Sequence, residues 1–144
     1  MADKTVAVSG GFDPVHIGHI RMFRDAARLG KLAVILNTDD FLLRKKGYIF
    51  MPLEERKEIL ESIQYVDRVV VSIDKDDSVC ETLAMLKPDI FANGGDRTGK
   101  TEIRESEICE LMGIEMVFGI GGTKVQSSSK LAANKDKTSG SGPS

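Results

Sequence analysis

The sequence predicts a single α/β domain built on a five-stranded parallel sheet. Three observations carry that expectation. Five short apolar runs recur along 144 residues, separated by stretches with helical spacing or helix-start signals. The runs are close to continuous in apolar residues, as strands covered on both faces are. The length suits one domain, and a second independent core would not fit. Strands alternating with helices imply parallel pairing, and right-handed crossovers then give an open, doubly wound, Rossmann-like domain.

The elements follow in order. Thr5-Val6-Ala7-Val8 is the first run and ends at Gly10-Gly11. From Ile17 the period changes: Ile17, Ile20, Phe23 and Ala27 share one helical face, and Gly30 stands at the expected C-cap. Leu32 to Leu36 is the second run, followed by Asn37-Thr38-Asp39-Asp40. Phe41 to Met51 is basic and reads as an irregular loop. Pro52 suits the first turn of a helix lined by Leu53, Ile59, Leu60 and Ile63. Val69-Val70-Val71 is the third run. Ser78-Val79-Cys80-Glu81 matches a capping box and predicts a helix to about Leu86, stopped by Pro88. Ile90-Phe91-Ala92 is the fourth run, Glu102 to Met112 a helix with Gly113 behind it, and Ile114 to Phe118 the fifth. Residues 1–133 are read as the domain. Residues 134–144, rich in Ser, Gly and Lys, read as a disordered tail.

Composition narrows the function classes. Twenty Lys and Arg against 22 Asp and Glu give a net charge of −2. That balance argues against a bulk nucleic-acid binder, while leaving room for a local basic pocket. No apolar run approaches the roughly 18 residues of a membrane span, and Met1-Ala2-Asp3-Lys4 opens no signal-peptide core. Cys80 and Cys109 are isolated and read as reduced thiols of a cytoplasmic protein; no resident metal site is expected.

In an open α/β sheet the ligand lies at the carboxyl ends of the strands, near the switch point. That rule selects Gly10 to His19, Thr38 to Lys46, Asn93 to Lys100 and Gly119 to Ser129. The chain's only two histidines, His16 and His19, fall in the first of these, at the mouth of the first helix. Three residues apart on a helix, they share a face. Beside free backbone N–H groups and the positive helix end, they make an anion site, with Gly18 keeping the approach open. Nearby phosphate charge favours protonated imidazole, which can follow charge developing on phosphate oxygens. The competing reading is a pair of capping or core histidines.

Gly10-Gly11-Phe12-Asp13-Pro14-Val15-His16-Ile17-Gly18-His19 resembles the HxGH signature of the nucleotidylyltransferase superfamily. The rest of the chain, over about residues 5 to 131, is similar to the small bacterial cytidylyltransferases of the glycerol-3-phosphate cytidylyltransferase type. Thr38-Asp39-Asp40-Phe41 with Lys45-Lys46, the helix Glu55 to Glu61, Tyr65-Val66-Asp67, Gly94-Gly95-Asp96 with Gly99-Lys100, and Ser127-Ser128-Ser129-Lys130 carry that likeness.

The resemblance implies an enzyme that joins CTP to a small phosphorylated alcohol or sugar and releases pyrophosphate by direct in-line attack, with Mg2+ accompanying the triphosphate. It implies that His16, His19 and Lys46 serve catalysis, and that Lys45 or Lys46 neutralises phosphates. The backbone of Gly10, Gly11 and Phe12 would then approach the nucleotide. Arg56 would grip the acceptor phosphate, since a guanidinium forks onto phosphate. Asp13 would organise the glycine turn or a metal-bound phosphate, and Gly95 and Asp96 would lie beside base and ribose. Ser127, Ser128 and Ser129 would open a helix whose N–H groups bind phosphate oxygens. The family also implies a homodimer.

The sequence departs from the family at Gly11, where Thr is frequent, and at Gly122, where a basic residue often stands and Lys124 is a substitute. The Gly-Phe-Asp-Pro-Val-His stretch is shared with adenylyltransferases, so transfer from ATP is the first alternative. Ala132 in place of their Arg, the short chain and the Gly-Gly-Asp loop favour CTP. Gly94 to Thr101 also fits the P-loop pattern GxxxxGK[ST] in full. It follows the fourth strand rather than the first, and the next strand ends in Gly119 rather than an Asp, so it ranks below both. A nucleotide-binding module without catalysis is the remaining class.

Overall fold

A computed structural model describes residues 4–94 and 104–121 of the chain. Its elements, in order, are β1 (Thr5–Gly10), α1 (Ile17–Ala27), β2 (Lys31–Leu36), α2 (Asp39–Lys46), α3 (Leu53–Glu61), β3 (Arg68–Val71), α4 (Cys80–Leu86), β4 (Ile90–Gly94), α5 (Ser106–Met112) and β5 (Glu115–Ile120). The five strands form one sheet in the order β3-β2-β1-β4-β5. Every pairing is parallel, with Thr5 opposite Lys31 and Gly10 opposite Leu36 at the two ends of the central pair.

Side-chain alternation splits the core into two layers. Val6, Val8, Leu32, Val34, Leu36, Ile90 and Ala92 meet Phe23, Ala26 and Leu60 from α1 and α3. Ala7, Ile35 and Phe91 meet Val79, Leu83, Cys109 and Ile114 on the α4 and α5 side. Both faces are therefore covered, which is why the strands read as continuous apolar runs. The chain winds one way through β1, β2 and β3 and returns to β4 on the other side of β1. The switch point lies between β1 and β4, and their carboxyl ends frame the crevice.

Three local expectations are corrected. The stretch predicted as an irregular loop contains α2. Its only buried residue is Leu42, so no apolar period marks it; its ends do. The Thr38 hydroxyl accepts from the Phe41 N–H at 3.1 Å, Asp39 and Asp40 lie in the first turn, and Arg44, Lys45 and Lys46 in the last. Gly30 does not cap α1; Arg28 does. A side chain at Gly30 would meet the Lys4 carbonyl, where the start of β1 passes close by. The capping box at Ser78 does not form. Helix α4 begins at Cys80, and its Glu81 and Thr82 N–H groups donate to the Asp74 carboxylate at 2.7 and 2.9 Å. The Val79 N–H donates to Glu105 at 2.9 Å. Residues 1–3, 95–103 and 122–144 lie outside the described residues, and with them the start of the predicted helix at Glu102 and the predicted tail.

Candidate active site

The site is built where β1 ends and the chain must turn before α1. Phe12 takes the left-handed backbone in that turn, with φ 49°; Gly10 and Gly11 do not. The glycines answer to packing instead. A Cβ on Gly10 would lie 2.9 Å from the Phe12 ring, and one on Gly11 would lie 2.6 Å from a Leu42 methyl. That contact accounts for a glycine at position 11. The Phe12 ring is buried, packing edge-on against His19 at 4.9 Å and Phe23 at 5.3 Å between centroids.

The two histidines cap their own helix reciprocally. The Gly18 N–H donates to His16 Nδ1 at 3.1 Å, and the His16 N–H donates to His19 Nδ1 at 3.1 Å. An imidazole nitrogen that accepts from an N–H carries no proton, so each ring holds its hydrogen on Nε2, at the far corner from the backbone. The rings stack at 3.9 Å with 24° between planes. Gly18 is required here because a Cβ would lie 2.9 Å from the His16 ring. Burial, and then the charge His16 would carry beside it, lowers His19 from 6.5 to about 3. His19 is therefore neutral at pH 7 without the phosphate charge that would favour its protonated form. Capping and ligand binding are compatible, because the Nδ1 atoms serve the helix and the Nε2–H groups are donors of fixed orientation.

Asp13 is buried, at 1% exposure, and its carboxylate has a structural task. It accepts from the Phe50 and Met51 N–H groups, each at 2.7 Å. It thereby holds residues 50–51 against the turn instead of facing a metal-bound phosphate. The peptide bond between Asp13 and Pro14 is cis. Lys46 ends α2 beside this turn. Its ammonium donates to the Asp13 carbonyl at 3.3 Å, lies 3.9 Å from the Asp13 carboxylate and sits 4.8 Å from the Tyr48 ring centroid. Lys45, one residue earlier, is exposed and points to no described partner at the turn. Of the two candidate lysines, Lys46 is the one at the site.

Arg56 is the largest departure from expectation. Its side chain is fully buried, at 0% exposure, so neither an acceptor-phosphate contact nor an exposed helix arginine describes it. Nε donates to the Met51 carbonyl at 2.9 Å. One terminal nitrogen donates to the Gly11 and Asn37 carbonyls at 2.9 and 2.8 Å, and the other to the Asp39 carboxylate at 2.6 Å. The guanidinium braces the exits of β1 and β2, the first turn of α2 and Met51, two residues before α3. Asn37, Asp39 and Met51 were not singled out from sequence. Two of them offer only backbone carbonyls, which leave no residue signal; Asp39 was visible only as part of the Thr38-Asp39-Asp40-Phe41 stretch that carries the family likeness.

The structure thus brings Gly10, Gly11, Phe12, Asp13, His16, Gly18, His19, Lys46 and Arg56 to one end of the sheet. Gly95, Asp96, Ser127, Ser128 and Ser129 lie outside the described residues, as does the P-loop-like stretch beyond Gly94. Among the described residues, no group of three His, Cys, Asp or Glu side chains is placed to hold a metal ion. No helix among them is long and apolar enough to cross a membrane.

Comparison with known proteins bears on this arrangement. The profile of the cytidylyltransferase-like family matches residues 7–125. The chain belongs to that family. Glycerol-3-phosphate cytidylyltransferase of Bacillus subtilis is 34% identical over 128 residues, covering 85% of this chain and 95% of that protein. FAD synthase of Pyrococcus abyssi is 40% identical over 106 residues, covering 69% of this chain and 71% of that one. Bifunctional protein HldE of Syntrophotalea carbinolica is 40% identical over 105 residues, which make up 21% of its length. A lipopolysaccharide core biosynthesis protein from Thermoplasma volcanium shares the fold with a TM-score of 0.70 and 27% identity, over 83% of this chain and 97% of its own. This member of the cytidylyltransferase-like family is thus a nucleotidyltransferase, with the five-stranded parallel sheet its sequence predicts.

Proposed function

We propose that the chain transfers the cytidylyl group of CTP to a small phosphorylated alcohol or sugar of the glycerol 3-phosphate kind. A phosphate oxygen of the acceptor attacks the α-phosphorus. The bond from that phosphorus to the bridging oxygen breaks, and pyrophosphate leaves with the electron pair. No protein nucleophile is needed, so the work is orientation and charge stabilisation.

One observation carries this reading: the reciprocal histidine cap, which fixes two Nε2–H donors at the N-terminus of α1 beside the switch point. His16 and His19 donate to triphosphate oxygens as charge shifts onto the leaving pyrophosphate, and Lys46 supplies a cation at the same mouth. Mg2+ enters with the triphosphate as part of the substrate. Asp96 with Gly95, and Ser127 to Ser129, are the candidates for base and phosphate contacts on the family pattern. We further propose a cytoplasmic homodimer, as the family implies. The likeness to an FAD synthase over 69% of the chain favours one second reading, adenylyl transfer from ATP at the same site.

A pyrophosphate-release screen over four nucleoside triphosphates and a panel of phosphorylated polyols and sugars tests both. Turnover with CTP supports the first reading, and preference for ATP replaces it with the second. Release with no pair overturns the catalytic reading. A Lys100→Ala change that abolishes activity while His16→Ala and His19→Ala do not would restore the P-loop reading.

A further inference from the structure

Beyond its first turn, α1 has polar and sulfur contacts that the histidine pair does not explain. Met22 and Asp25 lie three and six residues past His19 on the same helix. Both meet chain leaving the far half of the sheet. The Gly121 N–H, immediately after β5, donates to the Asp25 carboxylate at 2.8 Å, across 96 residues of sequence. Gly121 sits at φ +85°, and a Cβ there would lie 3.2 Å from the Met22 backbone. Gly94, the last residue of β4, is equally close: its Cβ would lie 2.8 Å from the Met22 sulfur and 3.1 Å from the Ile120 carbonyl. Two strand exits therefore converge on one face of α1, and two glycines are there because Met22 and the neighbouring strand fill the space a side chain would take.

The Asp25 carboxylate is divided between two tasks. Oδ1 faces Arg24 and Arg28 at 3.5 and 3.4 Å, while Oδ2 takes the Gly121 N–H. The two arginines are largely exposed, so those pairs contribute little. The backbone bond is the specific one. It is made at a left-handed residue whose conformation no neighbouring strand pairing fixes, since the β4 and β5 register ends at Gly94 and Ile120.

We propose that Asp25 is a positioning residue for the nucleotide half of the site: it fixes the exit of β5 against the helix that carries His16 and His19. The inference rests on the proposed nucleotidyl transfer for its kinetic consequence, but not for the contact itself. Asp25 touches no substrate. It sets the distance between the histidine cap and the exits of β4 and β5 at Gly94 and Gly121, so its loss weakens triphosphate binding at the cap and leaves α2 and the Arg56 brace in place.

The test compares the whole chain with its Asp25→Ala and Asp25→Asn variants, using CTP, ATP and glycerol 3-phosphate as probes. Asp25→Ala is expected to raise the nucleotide KM about tenfold, the size of one lost hydrogen bond to a charged group, with the acceptor KM unchanged. Asp25→Asn keeps an acceptor oxygen for Gly121 and is expected to restore the nucleotide KM to within about threefold. Hydrogen exchange reads the contact directly: the Gly121 amide loses protection in Asp25→Ala and keeps it in Asp25→Asn. A nucleotide KM unchanged while Gly121 protection is lost overturns the proposal, and so does an equal rise in both KM values. If no substrate pair turns over in the unmodified protein, the functional reading fails, and calorimetric binding of CTP or ATP to the same three proteins still decides the role of Asp25.

Discussion

Replacing Arg56 separates a brace from a substrate contact. Its guanidinium makes four hydrogen bonds of 2.6 to 2.9 Å, three of them to backbone carbonyls. A net contribution of about 1 kcal/mol for each bond gives about 4 kcal/mol for Arg56→Met, which keeps the stem's packing but none of the donors. Asp39 remains 38% exposed and regains water, so the larger penalty for an orphaned buried charge does not apply. A small domain has about 5–15 kcal/mol in all, so the methionine variant sits near the edge of folding. Arg56→Lys is the better probe. An ammonium keeps the charge and reaches Asp39 or one carbonyl, but it cannot serve Met51, Gly11 and Asn37 together. About 2 kcal/mol should be lost. Urea unfolding should show this as a midpoint lower by about 1 M with an unchanged slope. The acceptor KM should follow the displaced 50–51 segment only weakly. An unchanged midpoint with an acceptor KM raised tenfold or more would refute the brace and restore the phosphate contact.

Three further outcomes follow from the turn and the cap. Because His19 is lowered from 6.5 to about 3, the unfolded chain takes up its proton first as the pH falls. This contribution is whole above about pH 6.5 and declines toward pH 3 by at most about 1.4 kcal/mol per pH unit; urea titrations at pH 7 and 5 should lose less stability in His19→Gln, and parallel losses would contradict the assignment. Gly18→Ala places a methyl 2.9 Å from the His16 ring, so kcat should fall about a hundredfold or more while the melting temperature drops only a few degrees. Gly11→Thr should destabilise the chain through the 2.6 Å approach to Leu42, and Leu42→Ala in the same chain should recover part of that loss; additive losses would show that the two side chains do not compete.

The sheet was legible because its information is local. Val6 to Val8, Leu32 to Leu36 and Ile90 to Ala92 are apolar on both faces, and a parallel sheet between helices is the fold that buries both. The histidine pair was legible in its spacing but not in its cause: His16 is the extended N-cap of α1 and not a residue of the helix, and the rings meet through the reciprocal cap. What escaped depends on distant partners. Arg56 sits in Glu54-Glu55-Arg56-Lys57-Glu58, which reads as a solvated face until the carbonyls of Gly11, Asn37 and Met51 arrive from three other segments. Helix α2 escaped because charges and caps at its ends hold it, with Leu42 alone buried. The start of α4 was misread because Asp74 and Glu105, each at least four residues from Ser78, took the N–H groups that a capping box would have used.

The low value of His19 has a consequence for binding. Two stacked imidazoles at 3.9 Å cannot both be charged without a large mutual cost, and His19 already bears the desolvation that lowers it to about 3. A triphosphate brings negative charge to the histidine pair. It opposes both causes of the shift, replacing lost solvation with phosphate oxygens and offsetting the charge of His16. The His19 value must then rise on binding, and protons must be taken up over the pH range between the free and bound values. Calorimetry of CTP binding at pH 6 in two buffers of different ionisation heat measures that uptake, and His19→Asn subtracts the protons that belong to the nucleotide itself. An uptake of a sizeable fraction of a proton, growing as the pH falls from 7 to 5 and absent in the variant, is expected. Equal uptake in the two proteins would mean that His19 stays a neutral donor throughout, and that stabilisation of the leaving pyrophosphate falls to His16 and Lys46.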